Sequence, residues 1–144
     1  LGTKAKSGAV YLKCIVTVLS GKHKDKKFTL PICILSDKSD YWQNKGRELI
    51  RRILNSSQGL SSSDNSRRAV FSRIIESYDV LNGICFVGVI GVRKNRFGKE
   101  ENSITRVLSA DDEDYKELIL RKDFVPAQKV PPPSEPSSAM WRRA

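Results

Sequence analysis

The stretch that decides the fold is Asn82-Gly83-Ile84-Cys85-Phe86-Val87-Gly88-Val89-Ile90-Gly91-Val92. It is followed by Arg93-Lys94-Asn95-Arg96-Phe97-Gly98-Lys99 and then by Asn102-Ser103-Ile104-Thr105-Arg106-Val107-Leu108. The first run is apolar on both faces and rich in β-formers. Gly88 and Gly91 interrupt it, and a glycine inside a strand pattern often marks the bulge or bend that a closing barrel needs. The middle run is short and basic, and Gly98 can supply the positive φ of a hairpin turn. Together the runs predict a β-hairpin near 84–108 whose tip carries cations and one aromatic, Phe97. Such a tip can grip a nucleic-acid strand, and it can equally be a solvated loop, so the whole chain has to decide between them.

A second hairpin lies upstream. Ala9 to Ser20 alternates, with Leu12, Cys14, Val16 and Val18 on an apolar face and Tyr11, Lys13, Ile15 and Thr17 on a mixed one. Tyr11 beside Lys13 suits stacking on a base, and it suits ordinary cross-strand packing too. Ser20 to Lys27 reads S-G-K-H-K-D-K-K, a polar turn holding Lys22, Lys24, Lys26 and Lys27. Phe28 to Leu35 returns as a strand. Pro31 lacks a backbone donor, which predicts an edge or bulged position for that strand.

Between the hairpins the period changes. Trp42, Gly46, Leu49, Ile50, Ile53 and Leu54 recur at helical spacing and predict a helix over 41–55 with that set as its buried stripe. Glycine in a helix costs about 1 kcal/mol relative to alanine, and a close approach to a sheet at Gly46 would offset that. Arg47, Arg51 and Arg52 lie off the stripe, as a solvated face or a phosphate-facing one. A Ser/Gly/Asn-rich loop follows over 56–66. A shorter helix is expected from Asp64 or Asn65 to Ser77, with Val70, Phe71, Ile74 and Ile75 as its apolar set. Tyr115 to Ile119 fits a further helical turn or a short strand.

Proline and serine dominate from Pro126 to Ala144, which predicts a disordered tail without core contacts. The expected domain therefore spans residues 8–125 and the tail 126–144.

The 144 residues suffice for one domain with a real core, and the formal charge of +10 favours a polyanionic partner. No apolar run approaches the roughly 20 residues that span a bilayer, so no membrane partner is expected. Cys14, Cys33 and Cys85 sit in apolar strand-like runs at wide spacing, which points to buried free thiols in a reducing compartment. One histidine, His23, and no C-x-x-C pair argue against a metal site. No Walker loop or dinucleotide fingerprint is present, so no cofactor is expected. The carboxylate run Asp111-Asp112-Glu113-Asp114 could hold Mg²⁺ as in nucleases, but a solvated turn or helix cap accounts for it more simply.

Several segments in order carry a resemblance. G-A-V-Y-L-K-C-I-V-T-V-L-S-G-K-H-K-D-K-K-F-T-L-P-I, from Gly8, resembles the strand-turn-strand opening of a bacteriophage and prophage family linked to single-stranded DNA binding and recombination. G-R-E-L-I-R-R-I-L-N-S-S, from Gly46, resembles that family's helix. L-N-G-I-C-F-V-G-V-I-G-V, from Leu81, resembles its L-x-G strand, and N-S-I-T-R-V, from Asn102, its closing N-x-I strand. The resemblance covers about Gly8 to Leu120. It implies an OB-like barrel, no catalysis and single-strand binding in a bacterial cytoplasm. The basic W-R-R-A at 141–144 departs from the acidic tail of cellular bacterial single-strand binding proteins, so partner recruitment through a tail of that kind is not expected.

The resulting expectation is a mainly β protein, an OB-like antiparallel barrel with a helical insertion between its hairpins. Its function would be sequence-tolerant binding of single-stranded DNA in phage replication or recombination. Lys13, Lys22, Lys24, Lys26, Lys27, Arg93, Lys94, Arg96 and Lys99 would meet phosphates, and Tyr11, Phe97 and Trp42 would stack on bases. Further partners could be a recombinase, a nuclease or a second copy of the chain. The alternatives are a non-enzymatic module that recruits recombination proteins, and a small Mg²⁺-dependent nuclease using residues 111–114.

Overall fold

The computed structural model describes residues 2–4, 9–36, 40–95 and 97–127. The described residues divide into two compact units, one from those within 2–53 and 87–108, the other from 54–86 and 109–127.

The first unit holds every strand found among the described residues. β1 (Gly2–Lys4), β2 (Val10–Thr17) and β3 (Lys27–Leu35) form an antiparallel sheet in that order. β4 (Val87–Lys94) and β5 (Glu100–Leu108) form a two-stranded antiparallel sheet, and β5 lies alongside β3. Both expected hairpins are therefore present. The alternation of β2 is as the sequence predicts: Leu12 is buried while Lys13, Ile15 and Thr17 are exposed. Pro31 sits on the outer strand of its sheet, where its missing donor breaks least of the ladder. The β4–β5 register shifts between Val89 and Ile90, next to Gly91.

Helix α1 (Asp40–Gln58) runs three residues past the expected end. Gly46, Ile50, Ile53 and Leu54 form its buried stripe, with Leu49 half-buried. A Cβ on Gly46 would stand 1.7 Å from the Cys33 carbonyl oxygen, so the helix lies on the backbone of β3 itself. Trp42 departs from the expected stripe and is 60% exposed. It sits one turn before Gly46 and lines an open hollow between the helix and residues of β2 and β3.

The second unit is built around polar groups. The last residues of α1, Asn55, Ser56, Ser57 and Gln58, are all buried. The Arg73 guanidinium donates to Asn55 Oδ1 (2.7 Å) and to the carbonyls of Ser61 and Asp64. Gln58 Nε2 donates to the Ser72 carbonyl, and the Tyr115 hydroxyl donates to the Ser56 carbonyl at 2.6 Å. Thus part of the segment that composition marks as a surface loop, 56–66, is wound around a hydrogen-bonded interior, as buried polar atoms require.

Helix α2 (Arg67–Ser72) is shorter than expected. Ser66 caps it by accepting from Ala69 N, and the Asp64 carboxylate accepts from Ser66 N. That backbone bond is the main reason the Asp64 carboxyl titrates below its usual range. The helix buries Ala69 and Ser72 and leaves Val70 exposed, because so short a helix offers only one narrow face, and Ile74, expected in its apolar set, lies past its end and is exposed. A 3-10 turn (Tyr78–Leu81) leads toward β4, and Cys85 lies exposed in the approach rather than buried.

Helix α3 (Glu113–Leu120) resolves the choice left open around Tyr115 in favour of helix. Pro126 and Ala127, the first two residues of the expected tail, are held: Ala127 N donates to the Ser57 carbonyl, and Pro126 lies beside Gly59. Residues 128–144 of that tail lie outside the described residues.

The expectation of a mainly β chain is corrected to a mixed one. Helices take about as large a share as strands, and the described strands form two small sheets with no closed barrel. The physical reason is the second unit, whose polar interior carries no strand among the described residues.

Candidate nucleic-acid interface

The tip of the β4–β5 hairpin is organised by Asn95. Its side-chain oxygen accepts from Phe97 N at 2.9 Å and from Lys99 N at 3.1 Å, an Asx-type closure. Gly98 takes φ +77°, the left-handed conformation that glycine adopts without steric cost. Phe97 is held outward, 79% exposed, between Lys94 and Lys99, which are exposed as well. Arg96 lies outside the described residues.

The β2–β3 turn is closed by Val18 N donating to the Lys26 carbonyl and Asp25 N donating to the Val18 carbonyl. It leaves Lys22, Lys24, Lys26 and Lys27 exposed. Lys13 is exposed on the adjacent strand.

Two hollows open on the first unit. One, of about 490 Å³, is lined by Tyr11, Pro31, Ile32, Cys33, Trp42, Lys45, Gly46, Leu49 and Arg93. The other, of about 330 Å³, lies between β3 and β5, with Thr29, Leu30, Glu101, Asn102, Ser103 and Ile104 on its walls. Both are also lined by Pro31, Leu49 and Arg93, so they are neighbours along one groove. The structure thus brings Tyr11, Trp42 and Arg93 together from β2, α1 and β4. Phe97 and the turn lysines are not part of this lining.

Two contributors escape a reading by composition. Lys45 joins the hollow, and its ammonium stands 5.6 Å from the Tyr41 ring centroid, a cation–π geometry. Tyr41 in turn meets Trp42 edge to face at 5.0 Å. The i,i+4 spacing of Tyr41 and Lys45 was the available signal. The second contributor is acidic. The β4–β5 register sets Arg93 opposite Glu101 and Lys94 opposite Glu100, and Arg93 Nε lies 3.6 Å from Glu101 Oε1. Counting outward from the turn at Gly98 yields this pairing.

The acidic run at 111–114 has local work to do. Asp111 accepts from the hydroxyls of Ser61 and Ser62 and from Ser62 N, and these bonds hold its carboxyl below the usual range. Asp112 accepts from Ser109 N at the start of α3, and Glu113 pairs with Lys116. Among the described residues no three His, Cys, Asp or Glu side chains are grouped to hold a metal ion. Among the same residues, no helix is long and apolar enough to cross a membrane.

Compared with protein-family models, with curated proteins and with solved structures, the chain matches none of them.

Proposed function

We propose that this chain binds single-stranded DNA without strong sequence preference, in phage or prophage replication or recombination, through an OB-like fold. The observation that carries the reading is the hollow where Tyr11 and Trp42 meet Lys45 and Arg93. Aromatic faces beside cations are what single strands need, because every base offers a π-face and every linkage a negative charge. The exposed lysines of the β2–β3 turn extend the positive surface. For the OB-like fold, the support is the neighbour order in the first unit, β1-β2-β3 with β5 and then β4 beyond β3. An OB fold is a five-stranded, partly open antiparallel barrel, and the first unit supplies five antiparallel strands.

A protein-interaction role is the second reading. Val89, Ile90 and Val92 leave apolar side chains exposed on β4, which this reading would bury against a recombination protein or a second copy.

The deciding experiment is a titration of fluorescent oligo-dT and of duplex of equal length at two salt concentrations. Single-strand binding predicts tighter association with oligo-dT and a loss of affinity as salt rises. No salt-dependent binding to either would remove the nucleic-acid reading and leave the interaction module.

A further inference from the structure

The cations of the β4–β5 hairpin are not all free to meet phosphates. Arg93, which lines both hollows, is paired across the sheet with Glu101 at 3.6 Å, and its neighbour Lys94 is in register with Glu100. The strand ends next to the turn therefore hold two cations in register with two carboxylates. The β2–β3 turn is different: its four lysines share one nearby acid, Asp25.

From this geometry, and resting on the single-strand reading, we infer that Glu101 is a built-in competitor for the strand. It occupies Arg93 in the free protein and has to release it before a phosphate takes its place. Arg93 and Glu101 are both exposed at the groove, and an exposed ion pair is weak enough to exchange. A phosphate offers Arg93 the same acceptor chemistry as the carboxylate, so one replaces the other without a change of backbone. The consequence is a moderated affinity, which lets a strand leave as well as bind.

The exchange has a signature in salt. Each phosphate contact on a single strand contributes about −0.7 to the slope of log K against log salt, through counterion release. Because Glu101 already neutralises Arg93 in the free protein, the pair brings no net positive charge to the strand, so the Arg93 contact adds little to the slope of the parent protein.

The test is a double-mutant cycle on oligo-dT binding with Glu101→Gln, Arg93→Gln and the double variant, each at several salt concentrations. Glu101→Gln should bind about two- to fivefold more tightly, the range expected of one exposed ion pair. Its slope should steepen by up to about 0.7. In the Arg93→Gln background the same substitution should do neither. If Glu101→Gln binds like the parent, or tightens binding equally without Arg93, the competitor role is overturned while single-strand binding stands. If the parent shows no salt-dependent binding to oligo-dT, the single-strand reading falls and the competitor role with it.

Discussion

Gly46 of α1 rests against the backbone of Cys33 in β3 so closely that a Cβ would meet the carbonyl oxygen at 1.7 Å. No side-chain rotation relieves a clash with backbone, so the helix or the strand has to move. Alanine raises helix propensity by about 1 kcal/mol, but overpacking a seated interface costs about 1–3 kcal/mol or more. Gly46→Ala should therefore lower stability on balance, read as a fall in the urea midpoint at unchanged m-value. A stabilised variant would show that the helix is not seated on β3.

Trp42 separates binding from folding. It is 60% exposed, so Trp42→Ala should leave the melting temperature close to that of the parent. If a base stacks on it, affinity for oligo-dT should fall by about 1–3 kcal/mol with the salt slope intact. Unchanged affinity would take the aromatic hollow out of the binding path.

At the hairpin tips charge and stacking come apart in a different way. Neutralising Lys22, Lys24, Lys26 and Lys27 together should weaken binding and flatten the slope by about 0.7 for each lost contact. Phe97→Ala should reduce affinity by about 1–3 kcal/mol and leave the slope alone. Turn positions this exposed should barely move stability. If binding survives both changes, the lysines and Phe97 are only solvated surface.

Tyr115 predicts an alkaline weakness of the second unit. Burial pushes its phenol up to about 12, and its hydroxyl donates to the Ser56 carbonyl. The unfolded chain ionises this group near its ordinary value of about 10. Between those values the folded state holds a proton that the unfolded state has lost, so the stabilisation is full below about pH 10 and fades toward about pH 12. Tyr115→Phe should cost about 0.5–1.5 kcal/mol at neutral pH. It should also fall off less than the parent from about pH 10 toward pH 12 when urea midpoints are compared.

What the sequence alone determined was local. Alternation along Tyr11 to Thr17, the turn at Gly98, the edge position of Pro31 and the close approach at Gly46 were all legible, because each follows from one residue's backbone freedom or from a short hydrophobic period. The lysines of the first turn were legible for the same reason.

Tertiary structure alone decided what depends on partners distant in the chain. Trp42 shares the helical period of Ile50 and Ile53, yet it is exposed, because it borders an open hollow whose far wall is β2 and β3 instead of packing in the core. The stretch from Asn55, the last residue of the expected helix, into the Ser/Gly/Asn-rich loop at 56–66 is polar throughout its first four residues. Those four residues are buried, and Arg73, Ser72 and Tyr115 supply hydrogen bonds to Asn55, Gln58 and Ser56 from 14 to 59 residues away. Hydropathy records how a side chain favours water, while burial of a polar group is decided by whether the fold supplies its hydrogen bonds.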